Sequence, residues 1–397
     1  MIINRNRTKA SFLKNSCFAI LLIVTAFTTS ISAQEKIEVK GIILDESNFP
    51  IPYTAVGIVE KYIGTSSTED GEFSFLVSKN ELQDSLSISS LGYNPFKIKI
   101  EDYLNQEKKE IVLIESTTEL DAVKILAPGE YVNLAIKNLK NNTITSPHQV
   151  EMLYRSATTE NGSAKYLVEN YIKIKARGLG SYFGPMQIAE SRKSADYRIW
   201  KPNLRWHSIN ALAQLNPFRP NDSQHSRNIK KFIWKKTGDS SYEGEDVVIL
   251  EGKNPKMKWE SIKLYVGVDS YKVYRIERGK TLYIYKKHQS GKLVLSYYKH
   301  DWHLSKDRID MAYRKHIKET HFKAEAFVYK VITNKKQIRV SPYGINLDIG
   351  MDNLPYKKVF WDNLSAPPDT KFYKKIKDGL EGQFGVPLEK QYLLVNK

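Results

Sequence analysis

Glu69-Asp70-Gly71-Glu72-Phe73-Ser74-Phe75-Leu76-Val77 is the stretch that decides the fold of the first part of this 397-residue chain. Phe73, Phe75 and Val77 recur at every second position, the period that places side chains on one face of a strand. Asp70-Gly71 precedes them, and glycine accepts the positive φ that a tight turn needs. Upstream, Ile37, Val39, Gly41 and Ile43 alternate in the same way, as do Val56 and Ile58. Asp70-Gly71 between two such runs predicts a hairpin. Pro50 and Pro52 lack backbone donors and belong at a strand edge or in a loop. Short strands at this spacing predict a Greek-key β-sandwich over residues 34–126.

Working toward the N-terminus, Arg5, Arg7, Lys9 and Lys14 have no acid among them and precede an apolar run from Cys17 to Phe27. Ser30-Ile31-Ser32-Ala33 follows, which completes the three-part layout of a secretory signal peptide over residues 1–33. An eleven-residue apolar run is short of the roughly 20 needed to span a bilayer, so no transmembrane span is expected once the signal is removed. Cleavage after Ala33 removes Cys17, the only cysteine, and excludes disulfides, thiol catalysis and cysteine metal sites.

Gly41, Pro50-Ile51-Pro52 with Ala55-Val56, Gly64-Thr65, Glu69 through Phe73 and Leu91-Gly92-Tyr93 occur together and in order. With them, residues 35–126 resemble the carboxypeptidase regulatory-like domain. Leu120-Asp121-Ala122-Val123 resembles its closing segment. The resemblance implies a transthyretin-like sandwich of exported bacterial proteins, Bacteroidota nutrient receptors among them. Its implied role is structural or adhesive, with no catalytic residues to carry over.

Ala127-Pro128-Gly129 marks a boundary, and the charge changes sign there. Residues 34–126 carry 9 basic and 17 acidic side chains, whereas residues 127–397 carry 48 and 27. Tyr131, Leu134, Ala135, Asn138 and Leu139 predict a helix opening the second part. Strands then dominate: Tyr166, Val168, Ile172 and Ile174 share one face, and Ile262, Leu264, Val266 and Val268 repeat the pattern. Gly279-Lys280 and Ser290-Gly291 supply turns for an antiparallel meander. Residues 200–228 read as an excursion with a short helix, a candidate lid, and Phe372 to Phe384 as a C-terminal helix. A helix followed by a long meander weakly resembles the lipoprotein-carrier half-barrel, with no specific motif. The expected fold is mainly β.

Residues 253–339 hold 22 basic and 8 acidic side chains, interleaved with tyrosines such as Tyr265, Tyr283 and Tyr297. Basic and aromatic residues together can hold polyanions by charge neutralisation and stacking. Lys286, Lys287, Lys315 and Lys318 are the candidate polyanion-binding residues, with lipopolysaccharide, an acidic glycan or an anionic lipid as ligand. For an exported protein no nucleic acid is expected. The plainer account of the same charge is a solvated outer sheet face.

Two HxxE pairs, His148 with Glu151 and His316 with Glu319, have the spacing of a metallocarboxypeptidase zinc pair, and His321 lies close to the second. On strands, residues three apart face opposite ways, so neither pair is expected to hold zinc and no cofactor is assigned. Around Trp302, His300, Asp301 and His303 allow one acid–histidine contact, Asp301 with His303. No Gly-x-Ser-x-Gly elbow or phosphate-binding glycine loop is present. The expectation is a non-enzymatic exported protein of the periplasm or outer membrane, with a binding or scaffolding role toward an envelope protein. The alternatives are a lipid or polyanion carrier and, less favoured, a zinc metallocarboxypeptidase. An outer-membrane barrel is disfavoured because long polar segments interrupt the strands.

Overall fold

The computed structural model describes residues 36–61, 63–116, 126–182, 184–201, 209–219, 226–257, 259–340, 354–383 and 385–395. The expected signal peptide, the closing segment Leu120–Val123 and parts of the 200–228 excursion lie outside the described residues.

The first seven strands are β1 (Lys36–Leu44), β2 (Ala55–Ile58), β3 (Ile63–Ser66), β4 (Glu72–Ser78), β5 (Ser85–Ser89), β6 (Phe96–Lys99) and β7 (Glu110–Val112). They form two sheets, ordered β4-β1-β7 and β3-β2-β5-β6. The alternating Val39 and Ile43, Val56 and Ile58, and Phe73 and Phe75 all enter one shared core. Helix α1 (Ile100–Asn105) contributes Ile100 and Tyr103 to it. Asp70-Gly71 is a turn with Gly71 at φ +76°, but it does not make the expected hairpin. Strands β3 and β4 lie in different sheets, so the turn carries the chain across the sandwich. Local turn chemistry fixes the reversal, whereas the choice of partner is a tertiary matter.

The second part is one antiparallel sheet of ten strands. Its members are β8 (His148–Glu160), β9 (Ser163–Ala176), β10 (Met186–Lys193), β11 (Ile233–Tyr242), β12 (Glu245–Lys253), β13 (Ser261–Gly267), β14 (Val273–Arg278), β15 (Thr281–Lys287), β16 (Leu293–Ser305) and β17 (Glu319–Ile332). The order β10-β9-β8-β17-β16-β15-β14-β13-β12-β11 shows two meanders, of three and seven strands, joined at a β8–β17 seam. Strands β10 and β11 follow one another in sequence yet occupy opposite edges. The excursion therefore has to cross the whole sheet. Its described part, with helix α3 (Asn210–Gln214), buries Ile209, Leu212 and Phe218 in the core of one sheet face.

Helix α2 (Pro128–Asn142) covers the same face, which we call the inner face. Pro128 suits the first turn, where no backbone donor is required, and Tyr131, Val132, Ala135 and Leu139 make the buried stripe. The outer face has two covers. Helices α5 (Lys371–Gly382) and α6 (Leu388–Val395), which follow the short α4 (Lys358–Asp362), pack Tyr373, Ile376, Leu380 and Tyr392 against Ala157 and Leu167. Thr370 caps α5 by accepting a hydrogen bond from the Tyr373 N–H at 3.3 Å. The sandwich is the other cover: Tyr53 stacks on Tyr297 at 4.4 Å between ring centroids, beside Phe327 and Leu282. Among the described residues no helix is long and apolar enough to cross a membrane.

Candidate functional site

The sandwich and the outer sheet face meet through polar contacts as well as apolar ones. Ser66 and Ser296 hydroxyls lie 2.8 Å apart, and the Lys323 ammonium donates to Glu69 at 2.6 Å. Lys323 is buried, and beside it Glu325 pairs with Arg155 at 2.9 Å, both almost fully shielded from water. Burial alone would discourage ionisation of Glu325, but Arg155 and Lys323 hold its carboxyl below the usual carboxylate range. The Arg155 guanidinium also lies 3.8 Å from the Tyr373 ring centroid and 3.7 Å from Asp369. Sandwich, sheet and C-terminal helix are thus joined through one run of charges.

A cleft of about 60 Å³ opens along the same junction, nearer the start of β16. Strand β2 forms one wall, and Tyr242, Glu243, Lys286, Lys287, His288 and Lys330 are on the other. Glu243 and Gly244 both have positive φ, 49° and 80°, the conformation of a two-residue turn between right-twisted strands. That turn carries Glu243 to the sandwich, where it accepts a hydrogen bond from the Ser89 hydroxyl at 2.9 Å. Its other oxygen lies 3.4 Å from Lys287, whose ammonium also sits 5.7 Å from the Tyr242 ring centroid. Among the described residues of the lining Glu243 is the one acid, against three lysines and a histidine. Lys286 is part-buried, and no acid neutralises it among the described residues. Burial brings its ammonium pKa down to about 8.

Lys315 and Lys318 are exposed and lie elsewhere. They belong to the connection between β16 and β17, where the Lys318 N–H donates to Asn161 at 2.8 Å. Lys286 pairs in register with Val294 at the opposite end of β16. Thirteen residues of strand separate the two ends, about 40 Å. The four lysines form two separate pairs rather than one surface.

The HxxE pairs do not assemble a zinc site. The His148 ring hydrogen-bonds the Ser146 carbonyl and faces the inner side with Ile144 and Arg219, whereas Glu151 accepts from Gln149 and Tyr171. His316 is exposed in a turn, not on a strand as expected, and its N–H donates to the Tyr313 carbonyl. His300 and Trp302 share a face, as the alternation predicts, and His300 lies 2.9 Å from the Thr281 hydroxyl. Asp301 does approach His303, at 3.5 Å, but its closer partner is His321 at 2.7 Å. That contact was missed because His321 comes from the neighbouring strand, and cross-strand register is not written in either strand alone. Burial of Lys286 likewise left no local signal.

Among the described residues the inner face is closely packed. Tyr283, Tyr285, Tyr298 and the 209–219 segment occupy it, and the cavity left beside His148 and Arg219 is about 40 Å³. An apolar cavity of about 150 Å³ holds one benzene, so the cavity beside His148 is too small for an acyl chain.

Residues 39–125 match the family described as CarboxypepD_reg-like domain. The CarboxypepD_reg-like domain thus supplies β2, Tyr53 and Glu69 to the junction just described, and the sandwich anticipated from its turn residues is the one observed. No curated protein matches the chain. Among solved structures, similarity extends to a Vibrio parahaemolyticus domain described as an outer membrane lipoprotein-sorting protein, at 9% identity and TM-score 0.28, over 56% of this chain and 97% of that one. A DUF1329 family protein from Desulfovibrio piger matches at 10% identity and TM-score 0.27, over 54% and 96%. A LolA superfamily protein from Nitrosomonas europaea matches at 11% identity and TM-score 0.18, over 50% and 92%. The second part is weakly similar to lipoprotein-carrier folds, as its helix-then-meander order suggests.

Proposed function

We propose that this is a non-enzymatic, exported cell-envelope protein that binds an anionic group in the cleft between its sandwich and its sheet. The observation that carries the reading is Lys286, a part-buried lysine without an acidic partner among the described residues. It stands in a lining with three lysines to one glutamate. Desolvating an ammonium costs stability unless an anion meets it. An anionic lipid headgroup, an acidic glycan or an acidic segment of an envelope protein supplies that anion. The close packing of the described inner-face residues favours this site over an acyl-chain carrier. The separation of His148 from Glu151 supports a non-enzymatic reading over a zinc peptidase.

Binding is tested with phosphatidylglycerol vesicles and with lipopolysaccharide. Both should bind the mature chain, and binding should weaken as salt shortens the screening length from about 10 Å at 0.1 M to about 3 Å at 1 M. Replacing Lys286 and Lys287 with Met should abolish it, whereas Lys315→Ser with Lys318→Ser should leave it intact. Lys286→Met alone should raise the thermal midpoint near neutral pH, because it removes a desolvated charge. The sign follows from the lowered folded-state pKa: the cost is fully present below about pH 8 and fades as pH rises toward the ordinary lysine value of about 10.4. Equal binding by the Lys286/Lys287 variant would exclude the cleft.

Export is the second part of the proposal. It rests on the basic, apolar and small-residue order of residues 1–33. N-terminal sequencing of protein recovered from the envelope should begin at Gln34. Full-length protein starting at Met1 in the cytoplasm would refute it. With this goes a division near residue 126 into sandwich and sheet parts.

A further inference from the structure

Strands β16 and β17 place three metal-ligating side chains side by side on the outer face. The register sets His303 opposite His321 and Asp301 opposite Lys323, so Asp301 and His303 are two apart on one strand and His321 faces them from the next. Both imidazole Nε2 atoms approach the same Asp301 oxygen, at 3.5 Å from His303 and 2.7 Å from His321. The three ligand atoms all lie within 4.8 Å of one another. Tetrahedral ligands about 2.0–2.1 Å from zinc stand about 3.3 Å apart, so small side-chain rotations suffice. The two histidine rings are stacked at 3.7 Å and 15°. Phe372 packs against His321 at 5.2 Å between ring centroids.

The cations near the cluster are Lys323, Lys299 and Lys280, and acids stand against them. Lys323 is engaged by Glu69 at 2.6 Å, and Glu319 lies on the same face one pair further along. Exposure is graded, with side-chain values of 63% for His303, 27% for Asp301 and 18% for His321. One side of the cluster is open to water. Imidazole with carboxylate is a donor set suited to zinc-class ions.

We propose that Asp301, His303 and His321 form a binding site for a divalent zinc-class ion, with water completing the coordination. It lies near the end of β16 remote from the anion cleft, so either proposal can fail without the other.

The test uses the metal-free full chain titrated with Zn²⁺ against a chelating dye. One saturable site per chain is expected, with a thermal midpoint that rises with zinc, since an ion bound only to the folded state stabilises it. His303→Ala, chosen because His303 is exposed, should weaken zinc at least about tenfold, the lower end of what even an outer-shell loss costs. His316→Ala, in the nearby turn, should change nothing. Imidazole NMR of the unmutated chain should show zinc-dependent shifts at His303 and His321 together. Absence of a saturable site, unchanged affinity in His303→Ala, or shifts confined to other histidines would overturn the assignment.

Discussion

Glu325→Ala should destabilise the protein by about 3–5 kcal/mol, measured by urea denaturation, because it leaves Arg155 buried without its carboxylate. Both side chains are within about one per cent of complete burial, and the Arg155–Glu325 contact is 2.9 Å. Asp369 also pairs with Arg155, at 3.7 Å, but it is partly exposed and a weaker partner than the buried Glu325. The Tyr373 and Phe327 rings at 3.8 and 5.1 Å would keep some attraction for the guanidinium, which places the loss nearer the lower end. Arg155→Met combined with Glu325→Leu should recover most of it, since an apolar pair leaves no charge behind. The same pair gives a pH dependence. Because the folded Glu325 carboxyl sits below its ordinary value, its contribution is complete above about pH 4.3 and is lost as pH falls through the folded value. A change below about 1 kcal/mol in Glu325→Ala would mean the junction is wet rather than buried.

Gly71→Val should cost about 2–5 kcal/mol, from two separable sources. The φ of +76° costs an L-residue about 1–2 kcal/mol, more for a β-branched one. A Cβ there would also stand 2.8 Å from the Ile43 carbonyl oxygen and 2.9 Å from Pro50 Cβ, and overpacking adds about 1–3 kcal/mol. The neighbours raise the stakes further. Asp70 accepts a hydrogen bond from the Lys371 N–H at 2.9 Å, and Glu69 accepts from Lys323. One turn therefore serves the sandwich and its docking together. Urea titration should show a lower midpoint with Gly71→Ala between wild type and Gly71→Val; equal stability of all three would show that the turn is not in the left-handed region.

What could be read from the sequence was local. Alternation located β1, β4, β9 and β13, because each strand's burial depends on its own period, and the stripe from Tyr131 to Leu139 located α2. Partner choice was not readable. Asp70-Gly71 marked a reversal but not that β4 would join β1, and nothing near His321 announced Asp301 on the adjoining strand. The candidate lysines show the same limit. Adjacency along a basic segment says little about adjacency in space when thirteen residues of strand lie between the pairs. The 200–228 excursion, read as a candidate lid, is better understood from the sheet order, because a chain crossing from β10 to β11 lies on a face, as its described residues Ile209, Leu212 and Phe218 do.

The β8–β17 seam has a temporal consequence. Strand β8 is among the first of the large sheet to be synthesised and β17 is the last, with Arg155 and Glu325 170 residues apart in sequence. Until β17 emerges, β8 has β9 on one side and an unpaired edge on the other. Contacts this distant in sequence are slow to form, and an open edge invites wrong partners meanwhile. A chain built this way stays threadable until its final strand is made and becomes vulnerable to aggregation for the same interval. Holding chaperones should therefore matter most just before residue 319 is released, and truncations ending there should accumulate as aggregates rather than as a smaller folded sheet.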